Sequence, residues 1–87
     1  MVLEVKLPRE LWPRRGDWEG RVLAVYKKPG DRVSMGEPIA EVEIEKAVLV
    51  IESPIDGIVT GVNVRVGSLI KPGMVIASIK PLGGVAG

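Results

Sequence analysis

The chain has 87 residues, with Lys plus Arg 12 against Asp plus Glu 11, which bounds it to one small, nearly neutral domain whose core is only just large enough for independent folding. It contains neither Cys nor His; this removes disulfides, thiolate nucleophiles, the usual zinc ligands and the commonest general base near neutral pH, so neither catalysis nor a metal site is expected. Near-zero charge argues against an electrostatic grip on nucleic acid, no run approaches the roughly 20 apolar residues of a membrane span, and the start MVLEVKLPRE lacks a signal-peptide layout, so the expected setting is cytoplasmic.

Val and Ile number 22 against seven Leu, and Pro or Gly interrupts the chain every eight to twelve residues, so an all-β chain is expected. Along it, the segment Arg9 to Trp18 holds both tryptophans, and Trp12, Arg14, Arg15 and Trp18 are residue types favoured as interface anchors. Turns are signalled at Pro29-Gly30-Asp31, Met35-Gly36-Glu37, Val66-Gly67-Ser68 and Pro72-Gly73-Met74. Val42 and Ile44 alternate with Glu41, Glu43 and Glu45, and Val62, Val64 and Val66 alternate with Asn63 and Arg65, the period of two of strands with one buried face. If Leu49 and Ile51 face the core, Val48 and Val50 face outward. The end, Pro81 to Gly87, is rich in small residues and reads as a flexible tail or linker remnant after a domain spanning residues 1–80, either of a free-standing protein or of an amino-terminal piece of a longer chain. One Asn, no Gln and seven Pro is a balance seen in proteins of hot environments.

Residues 19–43 overlie residues 56–80 at a constant offset of 37. The register matches Gly20 with Gly57, Val22 with Val59, Val25 with Val62, Gly30 with Gly67, Gly36 with Gly73 and Ala40 with Ala77. Shared β composition would align valines but not turn glycines, so the chain is read as an internal repeat. Two copies in one small domain predict two similar sheets packed face to face about an approximate two-fold axis, with residues 44–55 linking them as a hairpin. Lys46 stands near the start of that link, the one base among the six acids between Glu37 and Asp56. Since no Asn-Gly or Asp-Gly marks the hairpin, a turn of type I geometry without positive φ is expected there.

Pro29-Gly30-Asp31-Arg32-Val33, Gly36, Glu43-Ile44-Glu45-Lys46-Ala47, Ser53-Pro54-Ile55-Asp56-Gly57, Gly67 and Gly73 together resemble the lipoyl domains of 2-oxoacid dehydrogenase complexes, over about Val2 to Lys80. The resemblance implies a flattened β-barrel of two four-stranded antiparallel sheets with lipoate in amide linkage on Lys46. The implied site includes Glu43, Ile44, Glu45 and Ala47 around the lysine, and Gly30 and Gly57 at the family's typical offsets from it; Ile44 replaces the family's usual hydroxyl residue and Glu45 its Asp. It further implies a non-catalytic swinging carrier, modified by a lipoate-protein ligase or lipoyl transferase. Its partners would be a thiamine-dependent 2-oxoacid decarboxylase, an acyltransferase core and a dihydrolipoyl dehydrogenase. In such domains the loop corresponding to Arg9–Trp18 lies close to the lysine.

Biotinyl domains share the fold but usually set the lysine between methionines, which Glu45 and Ala47 do not resemble. A biotinyl carrier and an unmodified adaptor are the alternatives. Carboxylates at Glu43 and Glu45 favour a charged ammonium, so they read as recognition marks, or as solubilising acids, rather than activators of the lysine.

Overall fold

A computed structural model describes residues 1–7 and 19–82. Its regular elements are strands: β1 (Leu3–Lys6), β2 (Gly20–Val25), β3 (Arg32–Val33), β4 (Pro38–Ile44), β5 (Ala47–Glu52), β6 (Gly57–Val62), β7 (Leu69–Ile70) and β8 (Val75–Pro81). They make two four-stranded antiparallel sheets, ordered β1-β8-β6-β3 and β5-β4-β2-β7. The all-β reading and the paired sheets follow from the sequence as expected.

The repeat holds down to single hydrogen bonds. Arg21 faces Glu43 and Val22 faces Val42 across β2 and β4, and the residues 37 further on, Ile58 with Lys80 and Val59 with Ile79, pair identically across β6 and β8. Gly30 N donates to Val59 O and, in the related place, Gly67 N donates to Val22 O, both at 2.8 Å. Those two bonds join different copies. The short strand β3 of the first copy pairs with β6 of the second, and β7 of the second pairs with β2 of the first. Each sheet is therefore built from both copies, and neither copy can close its sheet alone.

β1 and β5 are also related, though they lie outside the repeat read from the sequence. Val5 pairs with Ala77 on β8 as Ile51 pairs with Ala40 on β4. The offset between them is 46 rather than 37, because different lengths of chain precede the two copies.

All four predicted glycine turns form, with φ of 96° at Gly30, 85° at Gly36, 91° at Gly67 and 85° at Gly73. In each, the residue after the glycine donates its N–H to a carbonyl three residues back, as Asp31 does to Lys28 at 3.0 Å. A positive φ at the third residue makes these type II turns, where a side chain at that position would be strained. The Asp31 carboxylate accepts from Lys28 N at 2.9 Å and the Ser68 hydroxyl accepts from Arg65 N at 3.0 Å, so each of these two turns is also closed by a side chain.

The turn overrides the alternation at Val62–Val66. β6 ends at Val62, and Val66 is 64% exposed as the second residue of its turn. A period of two is evidence for a strand only while the backbone has a neighbour to pair with.

The core lies between the sheets and is almost entirely Val and Ile: Val22, Val33, Ile39, Val42, Val59, Ile70, Ile76 and Ile79 are at most 1% exposed. A slip of register between Pro38 and Ala40 on β4 turns both Ile39 and Ala40 inward. Each such apolar side chain contributes about 1.5–3 kcal/mol by burial.

Candidate functional site

β4 and β5 are joined by two residues only, since Ile44 is paired with Ala47. Glu45 and Lys46 form the tip, and both are exposed. The turn departs from the expected type I geometry: Glu45 has φ 57°, the sole positive value at a non-glycine position among the described residues. A positive φ confined to the first of two central residues is the sign pattern of a type II′ turn, whose twist matches that of the flanking strands. A side chain in this region costs about 1–2 kcal/mol. Packing holds it there. Ile44 and Ile51 are 3% and 4% exposed, which pins both strands of the hairpin to the core and fixes the register that leaves only two residues for the loop.

Lys46 makes no ion pair among the described residues, so its ammonium is presented to solvent from a rigid base. Glu43 lies on the outer face of β4, opposite Val48 on β5 and Arg21 on β2. Next to the tip, a recess of about 310 Å³ is lined by Glu19, Gly20, Arg21, Glu43, Glu45 and Leu69. Sequence reasoning missed Glu19, Arg21 and Leu69, which arrive from β2 and β7 by long-range pairing. No local motif marks them, although the repeat placed residues 19–21 at the start of its first copy.

Three residues expected around the attachment site have other roles. Ile44 turns into the core and anchors the tip rather than displaying a group. Gly30 and Gly57 stand at the opposite end of the barrel from Lys46. β2 starts beside the tip, where Arg21 pairs with Glu43, and runs away from it to Tyr26, whose N–H donates to Ile39 O; the Gly30 turn lies beyond that point. Gly57 opens β6 next to Asp56, whose carboxylate accepts from Met35 N at 2.7 Å, past the end of β4 remote from the tip. Seven residues of β4 span about 20 Å. Gly57 is also not a turn glycine: a Cβ there would overlap the Lys80 carbonyl and the Ile79 side chain, so it is required by close packing in sheet β1-β8-β6-β3. Ala47 is exposed beside the lysine, as expected of a tip residue. Trp12, Arg14, Arg15 and Trp18 lie outside the described residues.

Away from the tip, the Lys27 ammonium lies 2.7 Å from Glu37 Oε2, and Ser34 N donates to Glu37 Oε1 at 2.9 Å. The Lys27 hydrogen bond, followed by the Ser34 one, holds the Glu37 carboxyl below its usual range. Tyr26 donates its hydroxyl to Glu41, which raises the phenol. With Pro38 and Val50 these groups line a surface cleft of about 460 Å³ on the side of the hairpin.

Comparison with known proteins matches residues 13–79 to the biotin/lipoyl family model, described as biotin-requiring enzyme. Among curated proteins, the chain is 35% identical over 72 residues to the dihydrolipoyllysine-residue acetyltransferase component of the pyruvate dehydrogenase complex of Pseudomonas aeruginosa, covering 83% of this chain and 13% of that protein. It is 36% identical over 76 residues to the corresponding Bacillus subtilis component, covering 87% and 16%. Against the dihydrolipoyllysine-residue succinyltransferase component of the 2-oxoglutarate dehydrogenase complex of Buchnera aphidicola it is 31% identical over 65 residues, covering 75% and 16%. The chain thus spans about a sixth or less of the length of these relatives.

The fold matches the solution structure of the lipoyl domain of the 2-oxoglutarate dehydrogenase complex from Azotobacter vinelandii. The TM-score is 0.72 at 23% identity, over 91% of this chain and 99% of that domain. The match to the family model runs through both copies of the repeat and the hairpin between them, and the chain belongs to the biotin/lipoyl attachment family.

Proposed function

We propose that this chain is a lipoyl carrier domain, with lipoate in amide linkage to Lys46, serving a complex of the 2-oxoacid dehydrogenase type. The observation that carries the reading is the placement of Lys46. It is an exposed lysine with no ion pair among the described residues, held at the tip of a two-residue hairpin whose strands are anchored by Ile44 and Ile51. The fit to lipoate is physical: an amide at this tip buries no charge and breaks no ion pair among the described residues, and Lys46 is exposed.

When attached, lipoate supplies the dithiolane that takes up an acyl group and reducing equivalents. The chain's residues supply position. The short loop limits where the Lys46 stem can start, and tethering to a rigid domain raises its effective concentration at each site it visits. Glu43 and Glu45 flank the lysine as fixed negative charges, with Glu19 across the recess, and give an attaching enzyme an acidic surface to read. Supplying the free amine for attack is left to that enzyme. We assign the remaining partners, the thiamine-dependent decarboxylase, the acyltransferase core and the dihydrolipoyl dehydrogenase, by analogy with the complexes named for the relatives.

Biotin on the same lysine is the second reading, favoured by the family description; the dihydrolipoyllysine names of the relatives favour lipoate. Intact mass and peptide mapping of protein from its own host separate them. A lipoyl adduct on the Lys46 peptide, absent from a Lys46→Ala variant of unchanged thermal stability, is expected. Wholly bare Lys46 in cells oxidising 2-oxoacids would sink the carrier reading.

A further inference from the structure

Among the described residues β5 is the last strand of its sheet, with β4 as its one neighbour. Ile44 and Ala47 close a two-residue loop and are therefore a hydrogen-bonded pair, so the backbone groups of Ala47, Leu49 and Ile51 point toward β4. Those of Val48, Val50 and Glu52 point away from the sheet, and among the described residues no strand pairs with them. The side chains of Val48 and Val50 lie on the outer face, 53% and 46% exposed.

Edge strands are ordinarily guarded by charge, proline or a bulge. The related edge, β1, carries Glu4 and Lys6 at the positions of Val50 and Glu52. β5 instead has five uncharged residues, Ala47-Val48-Leu49-Val50-Ile51, bounded by Lys46 on one side and Glu52 on the other.

That boundary selects a partner. We propose that the free edge of β5 pairs with the β5 of a second copy of this chain, antiparallel and symmetric about Leu49. In this register Leu49 faces the partner's Leu49, Val48 faces Val50, and Lys46, the turn residue just before β5, comes to the end occupied by the partner's Glu52, twice over by the two-fold symmetry. The residues brought into hydrogen-bonding positions, Val48 with Val50, are those whose N–H and C=O groups are unused. Their outward side chains form a cluster of four valines, flanked at each end by an opposite-charge pair.

Sliding the pairing two residues toward the loop sets Val48 against itself and Lys46 against Val50; sliding it the other way sets Glu52 against Val48. Both lose the charge pairs, so the symmetric register is the complementary one. A cleft of about 360 Å³ between Leu3–Lys6 of β1 and Val50–Glu52 of β5 adjoins this edge at its Glu52 end.

The association is weak, since it adds one strand pair and little other surface. It is also linked to Lys46. Acylation removes the ammonium that faces Glu52, so the paired state is that of the unmodified chain; this consequence alone rests on the carrier reading.

Sedimentation equilibrium on the unmodified full chain tests the pairing, with Lys46→Glu, Glu52→Lys and an equimolar mixture of the two. Both sites are exposed, and thermal melts verify that each variant is folded. Wild type is expected to show a monomer–dimer equilibrium in which the amides of Val48 and Val50 gain protection from hydrogen exchange. Each variant alone meets like charge at both ends and self-associates about tenfold less. The mixture recovers wild-type affinity, because the two acidic ends of the Lys46→Glu strand then face the two basic ends of the Glu52→Lys strand.

A wild type that stays monomeric at millimolar concentration overturns the proposal. So does a dimer indifferent to both reversals, or one in which the mixture fails to recover. Lipoylated wild type, measured alongside, is expected to dimerise less than unmodified protein; if no lipoate can be attached, the carrier reading fails while the charge-reversal result stands by itself.

Discussion

The two ends of the barrel are built on one plan and finished differently. At one end β4 turns into β5 through Glu45 and Lys46; at the related end β8 runs out at Pro81 while β1 begins independently near the amino terminus. Leu82 is the counterpart of Glu45, and its N–H donates to Asp56 O at 3.1 Å. The lysine therefore occurs where symmetry is broken: the connection between the copies creates a tight exposed loop that the other end has no need of.

The outer faces differ in the same way. Glu41 and Glu43 on β4 correspond to Ser78 and Lys80 on β8, and Arg21 on β2 corresponds to Ile58 on β6. Core positions keep their type in both copies, because shape and burial constrain them. Surface positions are free to carry charge where a partner would read it.

The strongest way to break the comparison is to place a methyl group at its two related strand glycines. At Gly57 a Cβ overlaps the Lys80 carbonyl, which is backbone and cannot move aside, whereas at Gly20 the nearest backbone atom, the Glu43 carbonyl oxygen, is 3.1 Å away and the other close atoms, Ile44 Cγ1 at 3.0 Å and Ile70 Cγ1 at 3.1 Å, belong to side chains that can shift. Gly57→Ala is expected to lose about 3 kcal/mol in chemical denaturation and Gly20→Ala about 1 kcal/mol. Equal losses would show that the two copies pack alike at this position, against the contact geometry.

A smaller effect tests the strained tip. Glu45→Gly removes the penalty of φ 57° and is expected to stabilise the fold by about 0.5–1 kcal/mol after the entropy of glycine is counted. A loss of stability in the melt would mean that the Glu45 side chain itself holds the turn.

The smallest effect concerns pH. Glu37, hydrogen-bonded to Lys27 and Ser34, has a lowered pKa in the folded chain, so the unfolded chain binds its proton more readily. Its contribution is present above the ordinary carboxylate value of 4.5 and is lost as pH falls through the lower folded value. Its counterpart Met74 cannot titrate. Glu37→Gln is expected to flatten the acid limb of the stability curve below about pH 4.5 and to leave its shape near neutrality unchanged; an unchanged acid limb would place the sensitivity elsewhere.

Much of this was legible without coordinates, and the reason is local chemistry. A glycine following Pro29 or Pro72 reports the φ its turn requires, and Val42 and Ile44 report the face of a strand through a period of two. Glu19, Arg21 and Leu69 were not legible as neighbours of Glu43 and Glu45, since they come together through β2–β4 and β2–β7 pairing. The resemblance assigned Gly30 and Gly57 to the site of the lysine through the family's typical offsets, and about 20 Å of β4 separates them from it in space.

The sequence by itself determined the symmetric all-β barrel and the isolated hairpin lysine, because a repeated pattern of turns and apolar residues admits few other ways to bury its faces. Tertiary structure alone decided that β3 and β7 cross between copies, that the tip adopts a type II′-like turn, and that no strand among the described residues pairs with the outer edge of β5. Those outcomes depend on which strand lies beside which, and strand neighbours are set by closing two sheets over one shared core, a condition no short stretch of sequence contains.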